Sequence, residues 1–177
     1  MKLKFLNADI WSTVFAQIDL KDAVLTIQDG GAEYIEVKIG AGNLTYSEKV
    51  TREYTLDRGL LDEVRDGDEV PMDIRFDFVW EYIKDSSSGA TPTVEDALKR
   101  IGAAADWVST DADACRPYAV DLVITYTPTP STCGDKEIIT LSDFRYESLD
   151  HDLRAGTVAV TGKSNATMAT VVRSAQT

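Results

Sequence analysis

Asp73, Asp77 and Glu81 fall on one phase of the segment Met72 to Tyr82 and are the carboxylates that could serve as a glycosidase pair. A glycosidase needs two carboxyl groups roughly 5 to 10 Å apart, but neighbouring positions on a strand face already lie about 7 Å apart and these residues are two such steps from one another. Arg75 stands between the first two, so the same set also reads as a charged wall that partly neutralises itself. The single histidine, His151, sits in Leu-Asp-His-Asp-Leu. A Ser-His-Asp arrangement would need a nucleophile on a strained turn, and no GxSxG occurs, so His151 reads as structural. Asp106, Asp111 and Asp113 offer oxygen ligands but lack the fixed glycine and glutamate of an EF-hand. Gly40-Ala41-Gly42-Asn43 has neither the Lys-Ser/Thr of a P-loop nor GxGxxG spacing, and reads as a turn. Cys115 and Cys133 belong to no CxxC or Cys/His cluster, which gives zinc no support. They read as free thiols in a reducing compartment, or as a disulfide made after exposure to an oxidising exterior. No residue pattern calls for a cofactor or a metal, and the chain reads as a non-enzyme.

The elements that would position these groups are mostly strands. Met72, Ile74, Phe76, Phe78, Trp80 and Tyr82 alternate with Asp73, Arg75, Asp77 and Glu81, which an extended chain sorts onto an apolar and a charged face. Ala23 to Gln28 and Tyr34 to Ile39 flank Asp29-Gly30-Gly31 and predict a hairpin. Leu44 to Leu56 predicts one long two-faced strand, and residues 57–69 a charged inter-strand loop carrying Leu60, Leu61 and Val64. Thr93 with Asp96 forms a capping box opening a helix over 93–108, whose stripe is Val94, Ala97, Leu98, Ile101, Ala105 and Val108. Tyr118 to Thr127 and Lys136 to Leu149 predict further strands, and Thr157 to Gly162 with Ala166 to Arg173 a closing pair. The reading is a single domain over 1–177, mainly β with one flanking helix, in which 1–22 is an N-terminal arm or first strand.

The 177 residues carry a formal net charge of −12, which argues against sequence-specific nucleic-acid binding and against docking on anionic membranes. No segment has the roughly 18 to 20 uninterrupted apolar residues of a membrane span, and Met-Lys-Leu-Lys is not followed by the apolar core of a signal peptide. The expectation is a protein made in the cytoplasm.

An ordered set of segments carries a resemblance. It comprises Asn43 to Glu48, Arg52 to Gly59, Gly67 to Asp73, the aromatic strand to Tyr82, Pro92 to Leu98, Cys115 to Asp121 and Leu149 to Gly156. Together they resemble the tail tube (major tail) proteins of long-tailed bacteriophages, from about Ala23 to about Arg173. The resemblance implies a β-sandwich with a flanking helix. It implies hexameric rings whose sheets join into a barrel around a DNA channel, and a place in the virion tail. Implied partners are further copies of the chain, a tail terminator, a tape measure, tail-tip or baseplate proteins and, in contractile tails, a sheath. DNA would pass without specific binding. On that reading Asp73, Arg75, Asp77 and Glu81 face the channel, where a mildly negative wall leaves the duplex mobile. Arg58, Leu60, Leu61, Val64 and Arg65 in the 57–69 loop would join neighbouring rings. A disulfide between Cys115 and Cys133 would lock the polymer. Other readings are a virion β-sandwich binding module using Phe76, Phe78 and Trp80 as a sugar platform, a hydrolase using Asp73, Asp77 or Glu81, and the ring protein of a related injection or secretion system.

Overall fold

A computed structural model describes residues 23–80, 91–128 and 135–174. The described residues form ten strands, β1 (Ala23–Gln28), β2 (Tyr34–Val37), β3 (Leu44–Ser47), β4 (Val50–Asp57), β5 (Leu60–Glu69), β6 (Met72–Val79), β7 (Val120–Tyr126), β8 (Lys136–Asp152), β9 (Thr157–Ser164) and β10 (Thr170–Ser174). One short helix, α1 (Val94–Lys99), and a 3-10 turn over Gly102–Ala104 lie between β6 and β7. The mainly β fold with one flanking helix is as expected from the alternation.

The main sheet runs β2-β1-β7-β8-β9-β6-β3, with β10 also paired to β8. Its two ends are consecutive in the chain, because residues 38–43 join β2 to β3. Val79 N–H donates to the Lys38 carbonyl at 2.8 Å and Asp77 N–H to the Asn43 carbonyl at 3.0 Å, tying that connection to β6. These bonds bring the two ends of the sheet together, so it wraps around one core like a barrel without a ladder between β2 and β3 among the described residues, which leaves fewer open edges for unwanted pairing.

The core is what the alternation of β6 demands. Met72, Ile74, Phe76 and Phe78 are buried and point inward, while Asp73, Arg75, Asp77 and Val79 point out. Phe76 packs against Phe144 of β8 with ring centroids 6.0 Å apart. Leu25, Ile27, Leu122, Leu141, Val158 and Val160 complete the interior. β6 runs antiparallel to β9, pairing Phe76 with Val160. Gly162 of β9 sits where an added Cβ would lie 2.2 Å from the Arg145 carbonyl oxygen, so only glycine lets the two backbones approach this closely.

β8 is the longest strand, with 17 residues, and it bends at Asp143. Before the bend it pairs with β7 and β10, and after it with β9. Asp143 holds a left-handed φ of +54°, rare for a residue with a side chain. Its N–H donates to Asp121 Oδ1 at 2.9 Å, and its Oδ1 accepts from Thr110 Oγ1 at 2.8 Å.

Four expectations are corrected. The stretch 44–56 is two strands in different sheets, because β3 joins the barrel and β4 leaves it. The 57–69 span is no loop: Asp57-Arg58-Gly59-Leu60 makes a two-residue hairpin turn, and Leu60–Glu69 is β5. Arg58 at φ +50° and Gly59 at +85° are the signature of a mirror-image turn whose twist matches a strand pair. The helix ends at Lys99, where Arg100 turns left-handed at φ +54°; the tight turn that follows rotates Ala104 and Trp107 into the core and leaves Ile101 and Val108 outside. Finally, β9 and β10 do not pair: β9 lies between β8 and β6, and β10 runs beside the first half of β8.

Phe76 is fully buried and packs on the Phe144 ring of β8, so Phe76→Ala should cost about 3–5 kcal/mol. Chemical denaturation of the two proteins measures this; a loss below about 1 kcal/mol would show that this ring packing is not a main support of the core.

Candidate assembly surface

β4 and β5 form a sheet of their own, outside the barrel. Their register places Arg52 opposite Asp66, Tyr54 opposite Val64 and Leu56 opposite Leu61 on one face. Glu53 with Arg65, Thr55 with Glu63 and Asp57 with Leu60 form the other. The ribbon is therefore amphipathic, with an apolar face of Tyr54, Leu56, Leu61 and Val64 ended by the Arg52–Asp66 ion pair at 3.2 Å. That apolar face is not buried in the subunit: Leu56 is 63% and Leu61 61% exposed. An isolated two-stranded hairpin is marginal in water, and an exposed contiguous apolar patch marks an interaction surface.

Of the residues assigned to ring contacts from sequence, Leu61 and Val64 lie on the apolar face, Leu60 and Arg65 on the charged face and Arg58 at the tip. Arg65 donates to Glu63 at 2.9 Å. Tyr54 and Leu56 were missed, because their phase matches Leu44 and Tyr46 and reads as core. The available signal was the Asp-Arg-Gly turn, which makes them cross-strand partners of Val64 and Leu61.

The second surface is the outer wall of β6. Asp73, Arg75 and Asp77 stand in a row, flanked on β9 by Lys163 and Thr161 and on β3 by Ser47 and Thr45. Lys49 hydrogen-bonds Asp73 and holds its carboxyl below the usual aspartate range. Lys163 faces Glu147 at 3.7 Å, and Arg75 is exposed with no ion pair among the described residues. Glu81 lies outside the described residues. A shallow cleft of about 260 Å³ opens here, lined by Tyr46, Ser47, Asp73, Arg75, Glu147 and Thr161. A glycosidic acid must hold its proton near neutral pH, and Asp73 is driven the other way.

The remaining candidates lie away from these two surfaces. His151 Nε2 lies 3.5 Å from Glu95 Oε2 of α1, and its ring meets Trp80 edge-on at 5.4 Å. This joins the end of β8 to the helix and to the residue after β6. Phe76 and Phe78 are buried, which removes them as a sugar platform; Trp80 is half-exposed. Cys115 is exposed with a free thiol, and Cys133 lies outside the described residues. Asp106 is exposed, and no metal-binding group of three or more acidic, His or Cys side chains occurs among the described residues. Asp111 and Asp113 brace the loop before β7. Asp111 accepts from Arg145 Nη2 at 2.6 Å and from Arg116 at 3.4 Å, with only 6% of its side chain exposed. Arg145 also donates to the Pro117 carbonyl at 2.9 Å, so the bend in β8 and this loop share one guanidinium. The Asp113 N–H, followed by Arg145 and Arg116, holds the Asp111 carboxyl below the usual range, whereas burial pushes the Asp121 carboxyl up.

No family model and no curated protein sequence matches the chain. Among solved structures, it is similar to a chain of the sheath–tube complex of an extracellular contractile injection system, PVC, in the extended state. The identity is 10%, the match covers 92% of this chain and 95% of that one, and the TM-score is 0.53. A chain of the sheath/tube terminator of the same kind of system matches at 11% identity, over 90% of this chain and 99% of that one, with a TM-score of 0.52. At these identities the likeness is one of fold.

Because the folded Asp111 carboxyl ionises below its ordinary value of 3.8, its contribution is fully present above that value and is lost as the pH falls through the lower one. Wild type should therefore exceed Asp111→Asn in urea midpoint at about pH 7, and the gap should narrow as the pH falls below the ordinary value of 3.8. A gap independent of pH would show that the ionised carboxylate contributes nothing.

Proposed function

We propose that the chain is a structural, non-enzymatic subunit of a phage-tail-like tube. It self-assembles into hexameric rings, and the rings stack through the β4–β5 hairpin. The carrying observation is the free-standing hairpin, with Tyr54, Leu56, Leu61 and Val64 on an apolar face that its own domain does not cover. Seating that face on a neighbouring copy would remove it from water at about 25 cal/mol per Å² of apolar surface. The fold's likeness to chains of tube-containing complexes supports the reading.

In this reading the outer wall of β6, with Asp73, Arg75 and Asp77, faces the channel. Lys49 and Lys163 moderate its negative charge, which leaves passing DNA weakly repelled rather than held. Terminator, tape-measure, baseplate and sheath proteins would bound and surround the tube, and its place would be the virion tail. The ring protein of a contractile injection system is the second reading, favoured by the kind of assembly in which the similar chains occur. Tubes recovered from producing cells on DNA-filled capsids would decide for the phage tail.

Negative-stain microscopy of concentrated wild-type protein should show rings or hollow tubes, and Leu56→Asp/Leu61→Asp should remain folded by circular dichroism yet form none. Normal tubes from that variant would remove the hairpin from the stacking contact. Asp73→Lys/Asp77→Lys should still assemble but should slow DNA passage several-fold at low salt, as attractive phosphate contacts replace repulsion. Unchanged ejection would take this wall out of the channel.

A further inference from the structure

The hairpin stands outside the barrel, so the direction in which it points is set where its two legs leave. Glu48 and Lys49 lead into β4, and Val70 and Pro71 lead from β5 into β6. Both legs are fastened to one loop, residues 165–169, between β9 and β10. Glu48 Oε1 accepts from the Ala169 N–H at 2.8 Å, and the Met72 N–H donates to the Ala166 carbonyl at 3.1 Å. Lys49 of the entering leg also hydrogen-bonds Asp73, at the foot of the leaving one, and so braces the two legs against each other. Pro71 holds its own φ directly before Met72, which takes one rotation out of the leaving leg.

The loop is itself tied to the body. The buried Ser164 hydroxyl donates to the Ser142 carbonyl and accepts from the Ala166 N–H at 3.1 Å. The Asn165 N–H donates to the Asp143 carbonyl at 3.4 Å, so the mount rests on the bend in β8. Just beyond the mount the ribbon is kinked. Val50 pairs with Glu69 but Arg52 with Asp66, which sets Thr51 against both Gly67 and Asp68, and the Thr51 hydroxyl bonds the Asp68 carbonyl. Gly67 lies close on Thr51, where an added Cβ would be 2.9 Å from the hydroxyl. A bulge bends and twists its strand, and the bend points one way only if its base is fixed.

We infer that Glu48 and Lys49 are positioning residues, which hold the hairpin at one angle to the barrel and so aim its apolar face before a second copy arrives. Neither belongs to that face, so neither contributes its burial. The Lys49–Asp73 pair is half-exposed, and such a pair adds little to folding stability; what it fixes is a direction. A hairpin free to sweep would have to be ordered on docking, and that ordering would weaken association. The effect on assembly rests on the tube reading above, whereas the fixed angle is a property of the monomer.

The test is a double electron–electron resonance distance between nitroxides at Thr55→Cys on the hairpin and Asp150→Cys on the barrel, both exposed positions, in the full-length monomer carrying Cys115→Ser and Cys133→Ser. With the native legs the distance should be single and narrow. Glu48→Ala/Lys49→Met leaves the net charge unchanged; it should widen the distribution at least about two-fold and, without the labels, raise the concentration needed for tubes at least about three-fold. Its urea midpoint should stay that of wild type. Glu48→Gln keeps an oxygen for the Ala169 N–H and should keep the narrow distance. A broad distribution with the native legs, or one that stays narrow in the double variant, would overturn the proposal. Widening with no change in the tube threshold would overturn its link to assembly. Absence of tubes from wild type at every concentration would instead remove the tube reading, while the distances would still decide whether the legs fix the angle.

Discussion

The left-handed backbone at Asp143 is the constraint on which the rest of the architecture turns. A strand of 17 residues would otherwise serve one set of neighbours along its whole length. The bend lets β8 pair with β7 and β10 first and with β9 afterwards, so one strand belongs to two walls of different chemistry. Such a conformation costs on the order of 1 kcal/mol for a residue with a Cβ and persists only where its surroundings fix it. They do so here: Asp121 accepts the Asp143 N–H, Thr110 donates to its carboxylate, and Arg145 reaches its carbonyl while binding Asp111 and Pro117. These partners come from distant parts of the chain, so the bend forms only as the fold does.

From this follows the separation of surfaces. Beyond the bend, the outer wall over β8, β9 and β6 alternates acids and bases, while before it the wall over β1, β7, β8 and β10 is valine, isoleucine and threonine. The hairpin adds a third surface, apolar on one side and charged on the other. A subunit with three chemically distinct surfaces can present each to a different environment.

What the sequence revealed, and what it hid, divides along the same line. β6 was legible because a core on one side forces strict alternation, and Met72 to Phe78 obey it. β5 was not, because a strand with no core of its own is free of that demand; Leu60 and Leu61 are adjacent, and the register slips between Thr55 and Leu56. The helix was overextended because its apolar stripe runs past Lys99, and only the left-handed Arg100 ends it. The bend at Asp143 left no local sign, since neither glycine nor proline marks it. The ion pair between Asp111 and Arg145 likewise joins residues that no spacing rule connects. Of the assembly surface, the leucines were visible as unexplained apolar residues in a charged stretch, but Tyr54 and Leu56 became their partners only once the turn was known.

The acidity of the chain bears on how such subunits could associate at all. Residues 50–69 contain seven acidic and three basic side chains, so the hairpin carries the same sign as the body it would meet. Coulomb attraction therefore cannot drive the contact, and burial of Tyr54, Leu56, Leu61 and Val64 must supply the free energy. The ion pairs within the ribbon, Arg52 with Asp66 and Arg65 with Glu63, already use two of its three cations internally. Their value is small at an exposed position, but they leave fewer unpaired charges to be desolvated on docking. Long-range repulsion and short-range apolar attraction then act together. In the proposed assembly, copies would be kept apart unless the hairpin face met its complement in register, a condition that would favour an ordered polymer over an amorphous one.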